Sequence, residues 1–126
     1  MKSINLKQLK NYFSYFCSKN IEELKNIFSY DIELKDWNNN FVGKEEVLKE
    51  IELIFNSFAS IQLDVVDIYN SIDIIEDGEY LLDIPSDNKF ICQIEISFDN
   101  KEPLRIIDLI EFDNSGKIKN LTAYKR

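Results

Sequence analysis

Histidine is absent from all 126 residues. Its absence removes the Ser-His-Asp and Cys-His nucleophile pairs and the commonest transition-metal ligand. Acid–base chemistry therefore falls to Asp, Glu, Tyr, Lys or Cys. Cysteine is scarce too: Cys17 and Cys92 stand far apart in unlike segments, with none of the short spacings of a zinc or redox motif. Both read as buried thiols in a reduced, cytoplasmic setting, and neither a metal nor a cofactor is expected. Bases are outnumbered, with 15 Lys and Arg against 23 Asp and Glu, a net charge of -8. No basic cluster is available to track a phosphate backbone or an anionic bilayer, so neither nucleic acid nor membrane is an expected partner. Long apolar runs are missing as well. The opening "MKSINLKQLK" alternates lysines with single apolar residues, unlike a secretory signal, and nothing later would span a bilayer.

What is present suits a folded protein. Hydrophobic residues make up 44% and charged residues 30% of the chain, too apolar for a disordered one. With no repeat, linker or low-complexity boundary, residues 1–126 read as a single domain.

Leu6, Leu9, Phe13, Phe16 and Cys17 fall three or four apart, the stripe of a core-facing helix over 6–18. Asn20 followed by Glu23 has capping-box spacing and starts a short helix over 21–28. "YDIELKDW" then changes to period two, with Ile32, Leu34 and Asp36 on one face. After the loop "NNNFVG", Val47, Leu48, Ile51, Ile54, Phe55 and Phe58 mark a third helix over 44–58. The remainder reads as sheet: "IQLDVVDIY", a turn at Asp77-Gly78, an uncertain "EYLLDIP" in which Pro85 argues for an edge or strand end, then "KFICQIEISF", "RIIDLIEFD" and "IKNLTAY" as an antiparallel meander. Three helices followed by such strands make an α+β pattern, with helices gathered on one face of a curved sheet.

Two acids stand out on apolar strand faces. Asp108 alternates with Ile106, Ile110 and Phe112, and Asp36 with Ile32 and Leu34. Such an acid is either structural, with a local partner, or set in a pocket where it has work to do. For Asp36 the following Asn38–Asn40 run makes an Asx turn plausible. Tyr12 sits about 40° around the helix from Phe16 by the 3.6-residue period, flanking the core.

The order of elements resembles the NTF2-like superfamily, the cone-shaped fold of SnoaL-like proteins and ketosteroid isomerases. The resemblance rests on "NYFSYFCSKNIEELKNIFSYDIELKD", "FVGKEEVLKEI" and "IIDLIEFDNSGKIKNLTAY", and covers nearly the whole chain. It implies an NTF2-like cone, three N-terminal helices on a curved, mainly antiparallel sheet. Laid on the isomerase pattern, Tyr12 falls on the helix tyrosine, Asp36 on the first-strand aspartate and Asp108 on the late-strand aspartate. The resemblance thus implies a cofactor-free isomerase doing carboxylate proton transfer next to a carbonyl: Asp36 as base, Tyr12 and a protonated Asp108 as donors to the enolate oxygen. Ketosteroid isomerase is itself the standard instance of that logic. Phe16, Trp37, Phe41, Phe55, Phe58, Cys92, Ile94, Ile106 and Ile110 would line the pocket for a small apolar carbonyl ligand.

The chain departs from the pattern where Trp37 replaces the proline that commonly follows the base, and where Ile51 and Phe55 stand in place of a supporting tyrosine. Arg105 and Asp108 face opposite sides, so the Arg-x-Asp pair of epoxide-opening relatives is not formed, and histidine-dependent dehydration is ruled out. Because one fold hosts many functions, a non-catalytic ligand-binding or dimeric scaffold module stands as the alternative. In either case Ile91, Ile107 and Leu109 on the outer sheet face imply a homodimer.

Overall fold

The computed structural model describes residues 4–77 and 80–126, with side chains given outside residues 71–87. Helix α1 (Ile4–Cys17) buries Leu9 and Phe13, as the stripe requires, and Tyr12 beside them. It ends in a left-handed residue, Lys19 at φ 58°. The Asn20 N–H then donates to the Tyr15 carbonyl at 2.8 Å, and the Lys19 N–H to that of Phe16 at 3.2 Å. These two bonds are those of a Schellman stop. A lysine in place of the usual glycine is explained by its side chain, whose ammonium donates to the Phe58 and Ala59 carbonyls beyond the third helix. Helix α2 (Ile21–Ile27) opens at Asn20, whose side chain accepts from the Glu23 N–H at 3.2 Å.

Phe28 belongs to strand β1 (Phe28–Lys35) and not, as the periodicity suggests, to α2. The expected loop after it contains a three-residue strand, β2 (Asn40–Val42), antiparallel to β1. Gly43, at φ 95°, turns the chain into α3 (Lys44–Ser57), and its N–H donates to Ile32 O at 2.8 Å. A side chain there would be strained in this backbone conformation. Glu45 and Glu46 favour the positive end of the α3 dipole.

Strands β3 (Ile61–Asp77) and β4 (Tyr80–Phe98) run much further than their alternating segments suggest. The uncertain "EYLLDIP" is the first part of β4, and Pro85 pairs with Ile72 within it. Pro85 is tolerated because β5 (Leu104–Phe112) pairs only with Lys89–Ile96, leaving this stretch one neighbour. The Asp77-Gly78 turn lies outside the described residues.

Strand β6 (Ile118–Lys125) closes the meander against β5 and also pairs in parallel with β1. The sheet order is β2-β1-β6-β5-β4-β3. Leu9, Leu24, Phe28, Ile32, Val47 and Ile51 meet Phe90, Ile110, Phe112 and Ile118 in the core between helices and sheet. Cys17, expected to be buried, is half-buried at the end of α1, whereas Cys92 is fully enclosed. Among the described residues no helix is long and apolar enough to cross a membrane.

Candidate functional site

The core is closed at the end of the sheet where Phe90, Ile110 and Phe112 meet. It opens at the other end into a cavity of about 240 Å³. α1 contributes Tyr12 and Phe16, β1 contributes Leu34, and α3 contributes Ile51 and Ile54. The sheet adds Ile94, Ile96, Ile106, Leu121 and others, so the walls are overwhelmingly apolar with few polar groups, the usual make-up of a small-molecule site.

Asp108 lies in the middle of the sheet, opposite Cys92 on β4 and Ala123 on β6. Alternation along β5 turns it to the helix side with Ile106 and Ile110. Protein surrounds it except towards the cavity, which accounts for its residual accessibility. Burial pushes its carboxyl up to about 7. Among the described residues it has no hydrogen bond and no ion pair.

Neighbouring sheet acids show the contrast. Glu111 accepts from Asn120 at 2.7 Å and faces Lys119 at 3.6 Å and Lys89 at 3.9 Å. Glu95 faces Arg105 at 3.8 Å. Glu111 and Glu95 on the outer face are matched with partners, and Asp108 on the cavity face is not. The structural explanation of Asp108, a local partner, therefore fails among the described residues.

Tyr12 packs on Phe13, Phe16 and Phe28, with ring centroids 5.3, 6.1 and 6.2 Å away. It is more deeply buried than a residue flanking the core, because its ring is enclosed by these three aromatics and the cavity wall. Burial above all, then the charges of Asp108 and Cys92, raises its phenol well above the ordinary value, so it remains an O–H donor. Cys92, behind Asp108, is pushed up to about 12 by burial and by Asp108, and is an inert thiol.

Asp36 lies at the rim, just past the end of β1. Its Oδ1 accepts from the Asn38 N–H at 2.8 Å and the Asn39 N–H at 2.6 Å, so the Asx turn is real. Its other oxygen has no partner among the described residues. Trp37 also borders the cavity although strand alternation would turn it away, because β1 ends at Lys35 and the turn rotates the chain. It is 46% exposed, and the Lys125 ammonium stands 5.9 Å from its ring centroid. Phe58 completes the rim against Phe98, 4.4 Å away between centroids.

Eight of the residues expected at the site thus share one cavity: Tyr12, Phe16, Asp36, Trp37, Phe58, Ile94, Ile106 and Asp108. Four do not line it. Phe55 packs edge-on against Phe16, 5.2 Å away, in the layer between α1 and α3. Ile110 lies two residues deeper than Asp108, between Phe90 and Leu121. Cys92 is covered completely, and Phe41 pairs with Leu34 on β2 outside the lining.

Glu50 on α3 lines the cavity and was not anticipated. Its signal was present: Glu50 is three residues after Val47 and four before Ile54, so it flanks their stripe. Among the described residues no group of three His, Cys, Asp or Glu side chains could hold a metal ion.

No protein-family model matches the sequence, and no curated protein matches it. Solved structures do. Nuclear transport factor 2 from Cryptosporidium parvum is similar at 15% identity and a TM-score of 0.70, over 98% of this chain and 92% of that one. A steroid delta-isomerase from Pseudomonas aeruginosa is similar at 12% identity and a TM-score of 0.63, over 100% of this chain and 82% of that one. A computationally designed 17-OHP binder is similar at 11% identity and a TM-score of 0.72, over 94% of this chain and 90% of that one. Likeness at these identities establishes the fold: three helices on a six-stranded, mainly antiparallel sheet, the NTF2-like cone.

Proposed function

We propose that this NTF2-like cone is a small-molecule pocket working as a cofactor-free isomerase, in which a carboxylate moves a proton next to a carbonyl. The observation that carries the proposal is Asp108, a buried carboxyl without a partner among the described residues, sharing an apolar cavity with the Tyr12 phenol. Leaving such a group unpaired is costly, so a site that keeps one has a use for it in the ligand complex.

The Asp36 carboxylate at the rim takes a proton from the carbon next to the carbonyl. The electron pair left behind moves onto oxygen as an enolate. Tyr12 and protonated Asp108 donate to that oxygen, and Asp36 returns the proton to a different carbon. Protonated Asp108 is a donor because its carboxyl titrates near neutrality. A steroid delta-isomerase and a 17-OHP binder with this fold support an apolar ligand in the cone.

The test is conversion of a β,γ-unsaturated cyclic ketone to its conjugated isomer, followed by absorbance. Tyr12→Phe, which keeps the ring packing, is expected to cost about 10²-fold in kcat, the usual loss for one oxyanion donor. Undiminished turnover would remove Tyr12 from the site.

The alternative, a non-catalytic binding or scaffold module, is favoured by the two backbone N–H groups that already engage Asp36. Under either function we propose a two-fold dimer through the outer sheet face. There Ile91 is 39% exposed, beside Leu109 in a groove rimmed by Glu33, Lys35, Lys89 and Glu111. Ile91→Arg is expected to sediment as a monomer and wild type as a dimer; identical sedimentation would exclude this face.

A further inference from the structure

The proton-transfer scheme leaves Glu50 unused, and Glu50 alters the electrical character of the whole cavity. Three carboxyl groups border it: Asp108 within, Asp36 and half-buried Glu50 further out. No lysine or arginine is among the described lining residues, and the remaining side chains are apolar except for the Tyr12 hydroxyl and the Trp37 indole N–H. Among the described residues neither Glu50 nor Asp108 has an ion-pair partner.

An anion entering this space would leave water for low-dielectric walls and meet the like charges of Asp36 and Glu50 with no counter-ion among the described lining residues. The chain's overall charge of -8 adds to that barrier from outside. A neutral ligand escapes both penalties, and a cation gains from the same groups. The rim already holds a cation against its aromatic: Lys125 approaches from outside the lining to stand over Trp37.

We propose that the cavity selects its ligand by charge, taking an uncharged or ammonium-bearing apolar small molecule and rejecting carboxylates and phosphates, with Glu50 as the specificity-determining residue. The inference deepens the proposed function and rests on it only in placing the ligand in this cavity. It narrows the substrate class to neutral ketones or amino ketones, and excludes fatty-acid anions and acyl phosphates.

Trp37 is the single tryptophan of the chain and borders the cavity, so its fluorescence reports binding directly. Three probes share one transparent apolar body: adamantanone, adamantylammonium and adamantane carboxylate. At neutral pH the ketone and the ammonium are expected to bind, with the carboxylate at least about ten-fold weaker than the ammonium. Glu50→Gln should shrink the ammonium-to-carboxylate ratio by about three-fold or more, and Glu50→Lys should invert the preference. Added salt should narrow the wild-type ratio, because Glu50 is reached by solvent.

Equal binding of carboxylate and ammonium, a ratio untouched by both Glu50 variants, or binding of none of the probes overturns the proposal. The catalytic scheme fails separately: charge preference without isomerisation refutes only the proton transfer, and isomerisation without charge preference refutes only the selection.

Discussion

Asp36→Asn is expected to lower kcat for ketone isomerisation by about 10³-fold, the middle of the range for losing a positioned general base, with thermal stability unchanged. The substitution is unusually clean at this position. Asn Oδ1 can accept the same two N–H groups, from Asn38 at 2.8 Å and Asn39 at 2.6 Å, that Asp36 Oδ1 accepts now. What changes is the other carboxylate oxygen, which becomes an amide NH₂ and cannot take a proton at all. Asx turns accept asparagine as readily as aspartate.

The two accounts of Asp36 therefore diverge. If Asp36 serves only the turn, Asn is neutral for both rate and stability, and Asp36→Ala, which removes the turn acceptor, lowers the melting temperature. If Asp36 is the base, Asn costs about 10³-fold in turnover while the fold stays intact. Single-turnover kinetics and a thermal melt on the same two variants separate the accounts, and equal rates for wild type and Asp36→Asn would remove Asp36 from the chemistry.

How much of this was legible in the sequence depends on how local the determining contacts are. The spacing of Leu9 and Phe13, the cap at Asn20 and the alternation that groups Asp108 with Ile106 and Ile110 are all set within a few residues, and each appears as read. The β1–β6 pairing is different. It joins Leu34 to Leu121 in parallel, and no local pattern in either strand names the other as its neighbour. That pairing sets β1 beside the meander, so that Asp36 at its end and Asp108 border the same cavity.

Misjudged depth follows from the same cause. Phe55 and Ile110 have the right periodicity to face inwards, but which inward residues meet the cavity and which meet each other depends on where α1 crosses the sheet. Phe16 fills the space in front of Phe55. Glu50 was passed over because an acid among Glu45, Glu46 and Glu52 reads as part of a solvated helix face, although its spacing from Val47 and Ile54 puts it at the edge of the buried one.

Asp108 yields the second large effect, a loss of stability as pH rises through the range where most proteins gain it. Its ordinary carboxyl value is near 3.8 and burial raises it to about 7 in the folded chain. Between those values the folded state holds a proton that the unfolded state has released. Stability therefore falls with rising pH across this window and is flat on either side. The difference of about three pKa units corresponds to about 4 kcal/mol lost from wild type between about pH 4 and about pH 8.

Asp108→Asn has no such proton to lose, so the gap between the two urea midpoints should open steadily from acid to mildly alkaline pH, with the variant ahead. Every other titrating group is common to both proteins and cancels in the comparison. Parallel midpoint curves would mean that Asp108 ionises freely in the folded protein, with a partner or with water. The same titration governs turnover in wild type: with Asp108 as a donor, kcat should decline as pH climbs past about 7, because the ionised carboxylate has no proton to offer the enolate. An acid that weakens the empty fold at the pH where it also ceases to function is expected of a group retained for its ligand and not for its packing.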